Sequence, residues 1–290
     1  MPILCQPPLT SERRPTVRAP QGATDCHVHV YGPNSDYTLA STRTFDVPEA
    51  LPADLAGTLD RLGIDRVVLV QPSGYGVDNR RHLDAMREVG RPARMIAALR
   101  ADTPDPDLDA MHEAGVRGVR YTIKHAGAAP LTEMPILAER IKRLGWHVQL
   151  HVMNDGGGVP LADMESTLAR LPVDVVIDHL GSLRASDGID QQGFQALLRL
   201  VGRGRTWVKL SAGYRLSNTS PPYSDLVPFV QALLEQNANH LLWGSDWPHV
   251  SFEGSMPDTA DLLDQMTAWI PDTAVLEQIL VENPAERYGF

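Results

Sequence analysis

Short apolar runs alternate with longer amphipathic ones from Thr24 to the end of the chain, and no Pro/Gly/Ser linker or low-complexity tract divides them. The apolar runs predict eight strands, over residues 23–31, 66–72, 93–100, 116–123, 147–152, 173–180, 206–212 and 240–247. Between them lie segments of helical period such as LPADLAGTLDRLG, ILAERIKRLG and FQALLRLVGR, several closing on a glycine suited to a helix C-terminus. Runs such as RVVLVQ, DVVIDH and HLLWGS are apolar throughout rather than alternating, which predicts burial on both faces in a parallel sheet covered by helices. Eight strand-helix units predict an α/β fold, a closed (β/α)8 barrel of the TIM type. The alternative, a doubly wound open sheet, loses its best support because no GxGxxG follows the first strand. Residues 1–22 read as an N-terminal arm and 23–290 as one barrel domain.

Composition narrows the function. The 26 basic against 36 acidic residues leave a formal charge of −10 with no basic run, which disfavours nucleic acid as a partner. Cys5 and Cys26 cannot staple 290 residues, as expected of a reducing compartment. The N-terminus lacks the apolar core of a signal peptide and no segment is apolar for the length of a membrane span, so the expectation is a cytoplasmic protein without a membrane partner.

Barrel chemistry sits at the C-terminal ends of the strands. The first strand carries DCHVH, whose period of two sends His27 and His29 to one face. The fifth ends at His151, the sixth at His179 and the eighth at Asp246. Taken singly, His151 or His179 reads as a buried structural histidine, and Asp246 as half of an ion pair. Together they form a nitrogen and oxygen donor set without thiolates, the pattern of a catalytic Zn²⁺ that keeps a position for water. Most of the other histidines, His82, His112, His147, His240 and His249 among them, read as solvated on helices, outer faces or loops, with His125 and His249 kept as rim residues.

DCHVHVYGP, VIDHLG, KLSAGYRLS, LLWGSDWPH and NPAERYG, in this order, resemble the amidohydrolase superfamily, in the branch of the pyrone-dicarboxylate and muconolactone lactonases and the sugar-lactone hydrolases and isomerases. The resemblance implies a barrel that opens an anionic lactone by attack of an activated water on the ring ester carbonyl. It makes Asp246 the general base, and His27, His29 and His179 either metal ligands or, in a metal-free mechanism, groups that polarise the carbonyl. Pyrone-dicarboxylate lactonases of this pattern have a tyrosine at the end of the fifth strand and work without metal. His151 stands there in this chain, and the departure favours one divalent ion, Zn²⁺, held by His27, His29, His151 and Asp246, with His179 beside the substrate. Arg120, Arg215, Ser73, Tyr75, Lys124 and His125 occupy positions that the resemblance assigns to substrate carboxylates. Lactone isomerisation and metal-dependent decarboxylation are the neighbouring reactions, and a barrel that binds acidic metabolites without turnover is the non-enzymatic alternative.

Overall fold

The structure is a computed structural model that describes residues 2–122, 129–152 and 160–290. Eight parallel strands form one sheet: β1 (Thr24–Val28), β2 (Arg66–Val70), β3 (Ala93–Ala97), β4 (Val116–Thr122), β5 (His147–His151), β6 (Val175–Ile177), β7 (Thr206–Leu210) and β8 (Leu241–Trp243). Each pairs with the next in chain order. The helix following each strand is α1 (Pro52–Leu62), α2 (Arg80–Glu88), α3 (Asp105–Ala114), α4 (Met134–Ile141), α5 (Leu161–Leu168), α6 (Gln192–Gly202), α7 (Val227–Asn237) and α8 (Thr259–Trp269). All eight predicted strands are present, each trimmed at one or both ends where the chain leaves the ladder.

The sheet closes on itself between β8 and β1. Asp246 N–H donates to the His27 carbonyl at 2.9 Å and His29 N–H to the Trp247 carbonyl at 2.8 Å. The buried Asp25 carboxylate stitches the same seam, one oxygen accepting from His27 N–H at 3.1 Å and Ser245 N–H at 3.0 Å. Gly244 makes the approach possible, since a Cβ there would lie 2.7 Å from His27 Cβ. With both edges paired, no strand is left to recruit a foreign one.

Continuous apolar runs serve two cores. Val67 and Leu69 face the helices, while Val68 and Val70 turn inward onto Ile96, Val176, Trp207 and Leu242. The final helical segment, Asn283–Tyr288, sends Tyr288 into this inner cluster. Above that apolar floor the interior turns ionic, with Gln149, Asp178 and Lys209 all fully buried.

Two short strands lie outside the barrel: Ile3–Leu4 pairs in parallel with Phe45–Asp46. The arm is fastened further along by Val17 N–H on Asp264 at 2.9 Å and the Arg13 guanidinium at 2.6 Å from the same carboxylate. Among the described residues no helix is long and apolar enough to cross a membrane.

The structure corrects three of the histidines read as solvated or on the rim. His147 is fully buried inside the barrel, edge-on to Tyr288, His82 is fully buried and takes the Val30 N–H at 3.3 Å, and His249 is buried against Tyr214. The sequence concealed it, because burial at these three positions depends on what packs above them.

Burial holds the His82 imidazole down at about 3, with the charges of Arg81 and Arg120 adding to the effect. The unfolded chain therefore takes up a proton near pH 6.5 that the folded chain refuses, and stability drops as the pH falls from 6.5 toward 3. His82→Gln keeps an acceptor and is expected to flatten this dependence by about 1.4 kcal/mol per pH unit. Urea denaturation of both proteins at several pH values between 6 and 4 measures it; parallel curves would refute it.

Candidate active site

The register of β1 against β2 shifts between Asp25 and Val28. Strict alternation would send Cys26 and His27 to opposite faces. The bulge lets Cys26 join the inner apolar cluster while His27 still reaches Asp178 and Lys209 inside the barrel.

Three imidazoles converge on one carboxylate oxygen. Asp246 Oδ1 lies 3.6 Å from His179 Nε2, 3.8 Å from His27 Nε2 and 3.9 Å from His29 Nε2. The Nε2 atoms of His27 and His29 are 3.3 Å apart. His29 Nδ1 is 2.6 Å from the Val70 carbonyl, which only accepts, so Nδ1 carries the proton and Nε2 the lone pair. His27 Nδ1 faces the Asp178 carboxylate at 3.2 Å, which places its lone pair on Nε2 as well. Two lone pairs and a carboxylate oxygen thus point at one another.

The other oxygen of Asp246 is occupied. Oδ2 accepts from Tyr214 Oη at 2.6 Å and from Arg215 Nε at 3.2 Å. Asp246 and His179 both hold positive φ, 63° and 54°, a conformation that costs a non-glycine residue about 1–2 kcal/mol. Such strain at two strand ends aims both side chains at the same point.

Below lies a buried polar layer. Lys209 Nζ donates to Gln149 Oε1 at 2.8 Å and sits 3.5 Å from Asp178 Oδ1 and 3.3 Å from His27 Nδ1. Asp178 Oδ2 accepts from Gln149 Nε2 at 3.1 Å and Arg120 Nη2 at 3.3 Å.

Burial would raise the Asp178 and Asp246 carboxyls. The surrounding cations outweigh it: Lys209 and Arg120 hold Asp178, and Arg215 holds Asp246, well below the usual range. Burial keeps His27, His29, His151 and His179 neutral, Asp178 and Asp246 opposing it only in part. Neutral imidazoles and ionised carboxylates are the forms that bind a cation.

The expected site residues divide. His27, His29 and Asp246 form one group whose donor atoms all lie within 4.8 Å of one another, and His27, Asp178 and His179 form a second. His151 lines the cavity and meets His179 edge-on at 5.1 Å between ring centres, outside both groups. Arg120 and Arg215 also line the cavity, but each is engaged by the protein. Arg120 bonds the Gln71 carbonyl and Asp178, and Arg215 bonds Asp246 and the Val250 carbonyl. Ser73 is in the wall; Tyr75 is not among the lining residues, and its Oη accepts from Gly32 N–H at 2.8 Å. Lys124 and His125 lie outside the described residues.

Sequence reasoning missed Asp178, Lys209 and Gln149, although a charge inside VVIDH or WVKLS is itself a signal of a buried partner. It also missed Arg184, which lines the cavity and, among the described residues, has no anionic partner. The cavity holds about 300 Å³, with the imidazoles and Asp246 at one end and Phe45, Leu216 and Phe252 supplying apolar wall.

The donor set His27, His29 and Asp246 fits a divalent ion: two neutral nitrogens, one carboxylate, no thiolate and no proton among the facing atoms. Lys209 stands against the second group, where an ammonium already supplies positive charge.

Residues 24–290 match the family described as Amidohydrolase. The chain is 34% identical to a 2-pyrone-4,6-dicarboxylate hydrolase of Comamonas testosteroni, over 95% of this chain and 92% of the relative. It is also 34% identical to a 4-sulfomuconolactone hydrolase of Rhizobium radiobacter, over 98% and 96% respectively. A crystal structure of an Agrobacterium tumefaciens protein superposes with a TM-score of 0.84 at 30% identity, over 95% of this chain and 98% of that one.

Asp178→Asn removes the charge that orients His27, and is expected to weaken Zn²⁺ binding by about 10- to 100-fold, measured by competition with a chromophoric chelator. An unchanged affinity in the folded variant would remove Asp178 from the site.

Proposed function

The chain belongs to the amidohydrolase family, and from that premise we propose that it hydrolyses a small anionic lactone, with Asp246 as general base. The observation that carries the reading is Asp246 Oδ1, the oxygen that Tyr214 and Arg215 leave open, ringed by three imidazole nitrogens at one end of the cavity. The lactones acted on by the two named relatives support the substrate class.

Tyr214 and Arg215 fix Asp246 through Oδ2, so Oδ1 is left to take the proton of an attacking water. The water oxygen bonds to the ring ester carbonyl carbon, and the carbon–oxygen bond of the ring breaks to give a carboxylate and a free hydroxyl. His179 is placed to carry that proton from Asp246 Oδ1 to the leaving oxygen, which returns both groups to their starting forms. Its Nδ1 meets the Ser211 hydroxyl at 2.8 Å, a group that both donates and accepts, so Nε2 can hold or release a proton. The same atom lies 3.6 Å from Asp246 Oδ1. A Zn²⁺ ion held by His27, His29 and Asp246 would supply Lewis acidity to the carbonyl and to the water, with His151 at the cavity wall beside it.

Arg184 reads the anionic group of the substrate. The other two cavity arginines are engaged by the protein, whereas Arg184 is exposed at the cavity and, among the described residues, has no carboxylate partner. It also answers the chain's formal charge of −10, which by itself repels an anion.

The reading is tested by supplying 2-pyrone-4,6-dicarboxylate, 4-sulfomuconolactone and sugar-acid lactones and following ring opening by NMR, before and after chelation and Zn²⁺ return. Open-chain acid is expected, with turnover lost on chelation and restored by Zn²⁺. A rearranged lactone as product would favour isomerisation, and no reaction under any condition would sink the proposal. Arg184→Met is expected to raise KM for the anionic lactones by about tenfold or more with kcat within about threefold, and to leave a neutral lactone unaffected.

A further inference from the structure

Tyr31 ends the first strand segment, two residues beyond His29, and its backbone is locked by reciprocal bonds to Ala50 at 2.8 and 2.9 Å. Its ring stacks on Tyr75 at 5.6 Å between centres. Gly74 packs against the same ring, close enough that a Cβ there would come within 3.3 Å of Tyr31 Cε1. The ring is therefore clamped and cannot swing to another partner. The two stacked phenols differ in what they meet: Tyr75 Oη accepts the Gly32 N–H, whereas Tyr31 Oη is buried and, among the described residues, has no hydrogen-bond partner. Tyr31 nevertheless lines the cavity that holds His29, Arg120 and Asp246. Arg120 Nε in the same cavity is likewise a buried donor without a partner.

A buried hydroxyl left unpaired is a standing cost to the folded state, and natural proteins keep few of them without a reason. A phenol is protonated at neutral pH, so the group can donate. We propose that Tyr31 is a substrate-binding residue of this chain, its phenol hydroxyl donating a hydrogen bond to an oxygen of the bound anionic lactone. The proposal rests on the lactonase reading above for the identity of its ligand, but its basis is the buried, unpartnered hydroxyl of a clamped residue that lines the cavity.

Tyr31→Phe removes that hydroxyl alone. Two readouts apply: the melting temperature of the ligand-free protein, and KM and kcat on 2-pyrone-4,6-dicarboxylate and 4-sulfomuconolactone. The expected result is a melting temperature equal to or above wild type, with KM raised about three- to tenfold and kcat within about threefold. Tyr75→Phe is the control and is expected to melt lower, because it strands the Gly32 N–H. A fall in the Tyr31→Phe melting temperature with KM unchanged would overturn the proposal by showing a structural partner; so would no change in either quantity. If wild type turns over neither lactone, the lactonase reading fails, and citrate then serves as the anionic probe by calorimetry. Weaker citrate binding by Tyr31→Phe would uphold the binding role, while equal binding, or none by wild type, would overturn it.

Discussion

Everything at this site is arranged around the electrostatic demand of Asp246 Oδ1. A buried carboxylate oxygen needs positive charge or protons beside it, yet the atoms it faces are imidazole nitrogens, two of which present lone pairs. The arrangement is stable only because the other end of the carboxylate is gripped by Tyr214 and Arg215 and because the seam between β8 and β1 fixes the backbone on both sides. The positive φ at Asp246 and the close approach at Gly244 follow from the same requirement. The chain accepts local strain to hold donors where a cation or a developing charge can use them.

The ionic layer beneath gives that geometry its rigidity. Asp178, Lys209, Gln149 and Arg120 lie on, or just beyond, four different strands and bond to one another inside a barrel whose floor is apolar. Removing one member of such a layer leaves another charge buried without a partner, which costs more than the pair contributes. His27 belongs to both levels, its Nδ1 in the layer and its Nε2 in the site. That shared ring is how the packing of the barrel interior reaches the chemistry at its mouth.

The sequence and the structure differ most over the arginines and tyrosines. Arg120 and Arg215 have the chemistry to grip a substrate carboxylate, but they spend it on Asp178 and Asp246 and support the site from behind. Tyr75 and Tyr31 stack on each other, and the Tyr75 hydroxyl is taken up by the Gly32 N–H. A residue type announces which bonds a side chain can make; only its surroundings decide which are left over for a ligand.

By itself the sequence determined the eight strands and the barrel, and it singled out His27, His29, His151 and Asp246, of which the structure brings the donor atoms of His27, His29 and Asp246 together. These are legible because burial on both faces, a spacing of two and position at a strand end are properties of a few consecutive residues. The tertiary structure alone decided the bulge in β1, the attachment of Lys209 and Asp178 to His27, the burial of His82 and His147, and the place of Arg184 in the cavity wall. Each depends on distances between groups that lie far apart along the chain and meet only when the barrel closes, and no local pattern encodes which of several charged partners will be nearest.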